Sequence, residues 1–164
     1  MKILKITDEP DEERRISYKL ITSHSTLKYL RSDAFQRYWD NKTVFLAKND
    51  NNDIVGVLTF KVYKSNNSRA YGRIGDILIE EVGVSTTEIG KGIGTALVTA
   101  LIEYARPIGK RYLISIMRKT NIGSLKLYEK LGFKKERDVM WHEQGKELPG
   151  EVHKLKLYKE KEFW

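Results

Sequence analysis

Gly90, Gly92 and Gly94 alternate with other residues directly before an apolar helical pattern. Glycine there lets a ligand approach the main chain with no Cβ in the way. Successive N–H groups at a helix start can then converge on an anion such as a pyrophosphate. The same residues also suit a flexible turn with close helix–sheet packing. Just upstream, Glu80 and Glu81 are consecutive on a strand pattern. A carboxylate can take the proton of an amine, directly or through water. Side chains alternate along a strand, so at most one of the two faces an acceptor unless a bulge intervenes. The alternative is that both face solvent or pair with Arg73 or Lys110.

The chain has no cysteine, which excludes disulfides, a cysteine metal site and a thiol acyl-enzyme. His24, His142 and His153 lack metal-ligand spacing, so no metal is expected. Trp39, Trp141 and Trp164 either pack or line an acceptor pocket. Two phosphate-binding alternatives can be weighed at once. A Walker loop needs Gly-Lys-Ser or Gly-Lys-Thr, which Gly90-Lys91-Gly92 does not supply. A dinucleotide fold needs its glycines at the strand end and an acid closing the next strand. Here Ser85 to Ile89 intervene and the next strand ends in Met117-Arg118-Lys119, which suits only a 2′-phosphate. One crossover is present where that fold needs several.

The elements that must position these groups follow from periodicity. Met1 to Thr7 reads as a strand. Pro10 to Asp40 reads as helical, broken around Ser23 to Ser25, with Ile16, Leu20, Leu27, Leu30 and Phe35 at near-helical spacing. Val44 to Ala47 and Ile54 to Tyr63 form a hairpin, Asn66 to Tyr71 a loop, and Arg73 to Val84 a long strand. Gly92 to Arg106 is a helix with Leu97, Leu101 and Ala105 on one face. Tyr112 to Met117 is a nearly all-apolar run, as in a buried parallel strand. Asn121 to Leu131 is a helix stopped by Gly132, and Phe133 to Trp141 and Val152 to Tyr158 are closing strands. The single β-α-β crossover makes two strands parallel in an otherwise antiparallel, mixed sheet with helices on both faces. With 164 residues and no linker or repeat, residues 1–164 are expected to be one domain.

Lysine plus arginine number 30 against 22 acids, and the resulting +8 favours anionic partners: a phosphate-rich cofactor, an acidic surface or nucleic acid. A plain basic surface fits as well. The runs Lys134-Lys135 and Lys159 to Lys161 are short, so no nucleic-acid stripe is expected. No run approaches the about 18 apolar residues of a membrane span, and the first residues lack a signal-peptide pattern. A cytoplasmic protein with no membrane partner is expected.

The chain resembles the GNAT superfamily of N-acetyltransferases over Ile77 to Phe133. Its first signature, Arg/Gln-x-x-Gly-x-Gly/Ala, corresponds to Ile89-Gly90-Lys91-Gly92-Ile93-Gly94, with Ile89 where Arg or Gln is usual. Its second, Asn followed by Tyr-x-x-x-Gly-Phe, corresponds to Asn121 and Tyr128 to Phe133. The resemblance implies acetyl-CoA as donor, an amine as acceptor, and direct transfer in a ternary complex. It implies that Ile89, Gly90, Lys91, Gly92, Ile93, Gly94 and Thr95 hold the pyrophosphate. Main-chain groups of Val82 and Val84 would pair with the pantetheine arm where two parallel strands splay, and an N–H near Val82 would polarise the carbonyl. Asn121 and Ser124 would reach the arm, although Asn121 also reads as a helix cap. Tyr128 would be the general acid, although its periodicity equally makes it a packed helix tyrosine. Glu80, then Glu81, would be the general base. Transfer of another acyl group, or a non-catalytic module binding coenzyme A or nucleic acid, keeps the same motifs. The closing strand offers an edge for a homodimer.

Overall fold

A computed structural model describes residues 1–23, 30–66, 71–143 and 145–158, those at 141–143 by main chain alone. His24, Leu27, Trp164, the basic run Lys159 to Lys161 and most of the Asn66 to Tyr71 loop lie outside the described residues. So do the side chains of Trp141 and His142. The fold is mixed α/β: a seven-stranded sheet of order β1-β2-β3-β4-β5-β7-β6 with four α-helices among the described residues. The chain divides into two compact units, Met1–Lys61 with Glu80–Leu101, and Val62–Ile79 with Ile102–Trp164.

The first unit holds β1 (Lys2–Lys5), α1 (Asp11–Thr22), α2 (Ser32–Asp40), β2 (Val44–Lys48) and most of β3 (Ile54–Val62). It also holds the second half of β4 (Ile77–Val84) and most of α3 (Ile93–Ala105). Asp11, Glu12 and Glu13 in the first turn of α1 complement its dipole. β1, β2 and β3 run antiparallel, with Ile3 opposite Ala47 and Leu46 opposite Val57. Asn49 closes the β2–β3 turn by accepting the N–H groups of Asn51 and Asp53 at 3.0 and 2.9 Å. Ile6, Ile21, Phe35, Trp39, Val44, Leu46 and Val57 form the core of this unit. Trp39 is therefore a packing residue. Ile16, expected on the core face of α1, is 44% exposed. Its neighbour Ser17 is buried instead because its hydroxyl donates to the Glu13 carbonyl at 2.7 Å.

Gly56 of β3 sets how closely α3 packs. A Cβ there would lie 2.7 Å from Ile93 Cγ2 and 3.0 Å from Leu97 Cδ1. Ile93 is the first residue of α3 and β-branched, so it cannot swing aside cheaply. Gly56→Val is expected to cost about 1–3 kcal/mol by overpacking, read as a lowered Tm in thermal unfolding.

The second unit holds the first half of β4, β5 (Tyr112–Arg118), α4 (Ile122–Lys130), β6 (Lys134–Glu143) and β7 (Lys146–Lys156). β4 and β5 are parallel, from Ile77 opposite Leu113 to Ile79 opposite Ser115. β5 pairs antiparallel with β7, and β7 with β6. Leu78, Ile114 and Val152 form the core here.

Two strand boundaries correct the sequence reading. Arg73 to Asp76 is a turn rather than strand: Gly75 has φ +88°, Asp76 N–H donates to the Arg73 carbonyl at 2.9 Å, and Asp76 Oδ2 accepts the Arg73 N–H at 2.9 Å. β7 begins at Lys146, six residues before Val152, and includes Pro149 and Gly150. Gly150 is what lets it continue, since a Cβ there would stand 2.9 Å from the Met117 carbonyl oxygen of β5.

Candidate active site

In the first unit, β4 ends in Glu80-Glu81-Val82-Gly83-Val84 and leads into a loop that opens α3. The loop is tied down at its start by Ser85, whose N–H donates to the Val55 carbonyl at 2.8 Å. A single 3-10 turn, Thr86–Glu88, follows. Glu88 and Lys91 are paired at 2.8 Å, and Ile89 is 64% exposed. Gly90 and Gly92 have φ of +84° and +80°, where a side chain is strained. Beyond the adjacent residues, no protein atom lies within 4 Å of where a Cβ would stand on either. Hydrogen bonding of α3 begins with the Ala96 N–H to the Gly92 carbonyl at 2.9 Å. The N–H groups of Ile93, Gly94 and Thr95 come before it and remain available at the positive end of the helix dipole. These residues fit a bound anion.

The carboxylates differ sharply although they are adjacent. Glu80 Oε1 meets Lys61 Nζ of β3 at 3.0 Å. Burial pushes the Glu81 carboxyl up to about 7, with the charge of Glu80 adding to the rise. The Tyr38 phenol of α2 is raised by its own burial and by both carboxylates, which holds it protonated. Sequence reading missed Lys61 and Tyr38. Two acids in succession on a half-buried strand call for a cation on the neighbouring strand, and that signal leads to Lys61. The pairings considered from sequence, Arg73 and Lys110, lie in the other unit. Tyr38 had no local signal, because α2 and β4 are distant in sequence.

In the second unit, Asn121 caps α4, its Oδ1 accepting the Ser124 N–H at 3.1 Å. The Asn121 side chain is exposed, so its amide N–H₂ faces solvent. Asn121→Ala is expected to remove about 1 kcal/mol of stability through the cap alone, measured by denaturant unfolding. Tyr128 is 5% exposed and stacks edge-on against Phe133 with ring centroids 5.0 Å apart. Among the described residues no cluster of His, Cys, Asp and Glu is arranged to hold a metal. No helix among them is long and apolar enough to cross a membrane.

A profile described as the acetyltransferase (GNAT) family matches residues 8–133. The mycothiol acetyltransferase of Saccharomonospora viridis is 31% identical over 124 residues, 75% of this chain and 40% of that protein. An uncharacterized N-acetyltransferase of Methanocaldococcus jannaschii, MJ1207, is 39% identical over 62 residues, 38% of this chain and 27% of that protein. The chain thus spans less than half the length of these two curated relatives. Among solved structures, an N-acetyltransferase of Staphylococcus aureus Mu50 superposes with a TM-score of 0.76 at 20% identity, covering 96% of this chain and 98% of that one. The ribosomal-protein-S18-alanine N-acetyltransferase of Escherichia coli gives 0.77 at 15% identity, covering 99% of each. The yncA protein of Salmonella typhimurium, whose structure holds its cofactor acetyl-CoA, gives 0.73 at 20% identity, with 97% and 95% covered.

Proposed function

The chain belongs to the acetyltransferase (GNAT) family, and from that premise we propose that it passes an acetyl group from acetyl-CoA to a primary amine by direct transfer. Residues 1–164 act as one N-acetyltransferase domain. The observation that carries this reading is a carboxyl poised near neutral pH, Glu81, on the strand that runs directly into an anion-ready glycine loop.

The loop from Ile89 to Thr95 takes the pyrophosphate of acetyl-CoA on main-chain N–H groups, with Lys91 adding charge. Val82 and Val84 pair through their main chain with the pantetheine arm, and Asn121 and Ser124 contact the same arm. A primary amine is mostly protonated at neutral pH and must lose a proton before it attacks. Glu81 takes that proton. Of the two acids it is the better base, because Glu80 is already engaged by Lys61. The amine nitrogen then bonds to the thioester carbonyl carbon, and an N–H near Val82 stabilises the oxyanion that develops. As the C–S bond breaks, Tyr128 gives its phenolic proton to the departing sulfur, and the second proton leaving the acylated nitrogen passes through solvent to restore the phenol. A phenol of pKa about 10 can serve a thiolate of about 8.5.

A free-thiol release assay over small amines, polyamines and peptide amino termini, with products identified by mass, tests the proposal. Thiol release is expected only with a primary amine present. Tyr128→Phe is expected to slow it about 10²-fold with acetyl-CoA affinity retained. If acetyl-CoA binds yet no amine is acetylated, the transfer reading fails.

A further inference from the structure

The second unit carries a groove of about 470 Å³ at the start of β5, lined by Arg73, Arg111, Lys134, Lys154, Asp76 and Glu136 among others. It lies at the opposite end of the seven-residue β5 from Asn121, about 20 Å along the strand. Its two carboxylates are already engaged. Asp76, only 2% exposed, accepts the Arg73 N–H at 2.9 Å and faces Arg111 Nη2 at 3.5 Å. Glu136 Oε2 meets Lys154 Nζ at 2.6 Å. Among the described residues, the side chains of Arg73 and Lys134 have no ion-pair partner. Two unneutralised cations therefore border a groove whose other cations are held in place.

The aromatic lining narrows the occupant. Arg111 and Lys154 both lie over the Tyr112 ring, at 6.0 and 5.9 Å. That leaves little of its face for a nucleobase to stack on. The hydroxyls of Tyr112 and Tyr158 are 3.1 Å apart. One donates to the other, so one O–H remains for an external acceptor. The groove thus offers guanidinium, ammonium and phenol donors, and each of its two carboxylates already faces a cation. We propose that it binds a phosphate-bearing anion of two or more charges, as a second anion site in addition to the glycine loop. Recognition is by the phosphate oxygens through charge-assisted hydrogen bonds from Arg73 and Lys134.

The test titrates inorganic pyrophosphate by calorimetry into the full chain saturated with coenzyme A, so that the glycine loop is filled. One pyrophosphate per chain is expected, with affinity falling as salt rises. The double variant Arg73→Ser/Lys134→Ser is expected to weaken it by about tenfold or more while coenzyme A affinity is unchanged. A parallel titration with tripolyphosphate and adenosine triphosphate distinguishes the sources. Equal affinity assigns the groove to the phosphates alone, and tighter nucleotide binding adds the nucleoside to what is recognised. Absence of pyrophosphate binding to the coenzyme A-loaded protein, or binding that the double variant keeps, overturns the proposal. So does a preference for citrate with no response to pyrophosphate.

Discussion

Glu81→Gln lowers kcat by about 10²–10⁴-fold, the usual contribution of a positioned general base, and abolishes the acidic limb of the pH profile. The wild-type limb follows from the chemistry of the group. Burial and the neighbouring Glu80 push the Glu81 carboxyl up to about 7. Only its ionised form accepts a proton, so kcat/KM falls about tenfold per pH unit below that value. The same shift has the opposite consequence for stability. The folded state holds this proton more tightly than the unfolded chain, whose value is the ordinary 4.5. The stability attached to the group is therefore fully present below pH 4.5 and is lost as pH rises through about 7. Glutamine has nothing to titrate. The variant should be more stable than wild type above pH 7, by up to about 3 kcal/mol. Lower activity with a higher Tm at pH 8 separates a missing base from a damaged fold. An unchanged pH–rate profile would remove Glu81 from the mechanism.

The double variant Gly90→Val/Gly92→Val is expected to weaken acetyl-CoA on the order of 10²-fold. Both glycines sit at positive φ, +84° and +80°. Such a conformation costs an ordinary residue about 1–2 kcal/mol. A Cβ at either position meets no atom within 4 Å beyond the adjacent residues, so crowding of the Cβ against the rest of the protein contributes nothing. The loss comes from the loop leaving the conformation that aims its N–H groups, and from side chains standing where the ligand approaches. The interaction lost is present in both ground and transition states, so KM for acetyl-CoA rises while kcat at saturation changes little. Calorimetry and initial rates check this, and unaltered affinity would show that the loop does not hold the pyrophosphate.

How far the sequence could be read depended on whether the deciding interaction was local. The glycine loop was legible because positive φ at Gly90 and Gly92 is a requirement on those residues themselves. The Asn121 cap was legible because its partner, Ser124, is three residues away. The parallel partner of β4 was legible as the apolar run Tyr112 to Met117, which only a strand covered on both faces tolerates. The start of β4 was not, because Ile74 continues the apolar pattern and the turn is made by the Asp76 side chain and Gly75. On α1 Leu20 packs against the core as its spacing implies, but Ile16 does not, since its neighbour Ser17 buries a hydroxyl that the preceding turn satisfies. In the candidate site the two acids were visible but their division was not. Lys61, which engages Glu80, and Tyr38, which feels both, come from other elements. Their proximity is a product of sheet pairing and helix packing.

The central claim is that the glycine loop holds acetyl-CoA, and isothermal titration of the chain with acetyl-CoA, with NADPH alongside, tests it most directly. One acetyl-CoA bound per chain, with no NADPH response, is the result expected. Absence of acetyl-CoA binding together with clear NADPH binding would contradict it and reassign the loop.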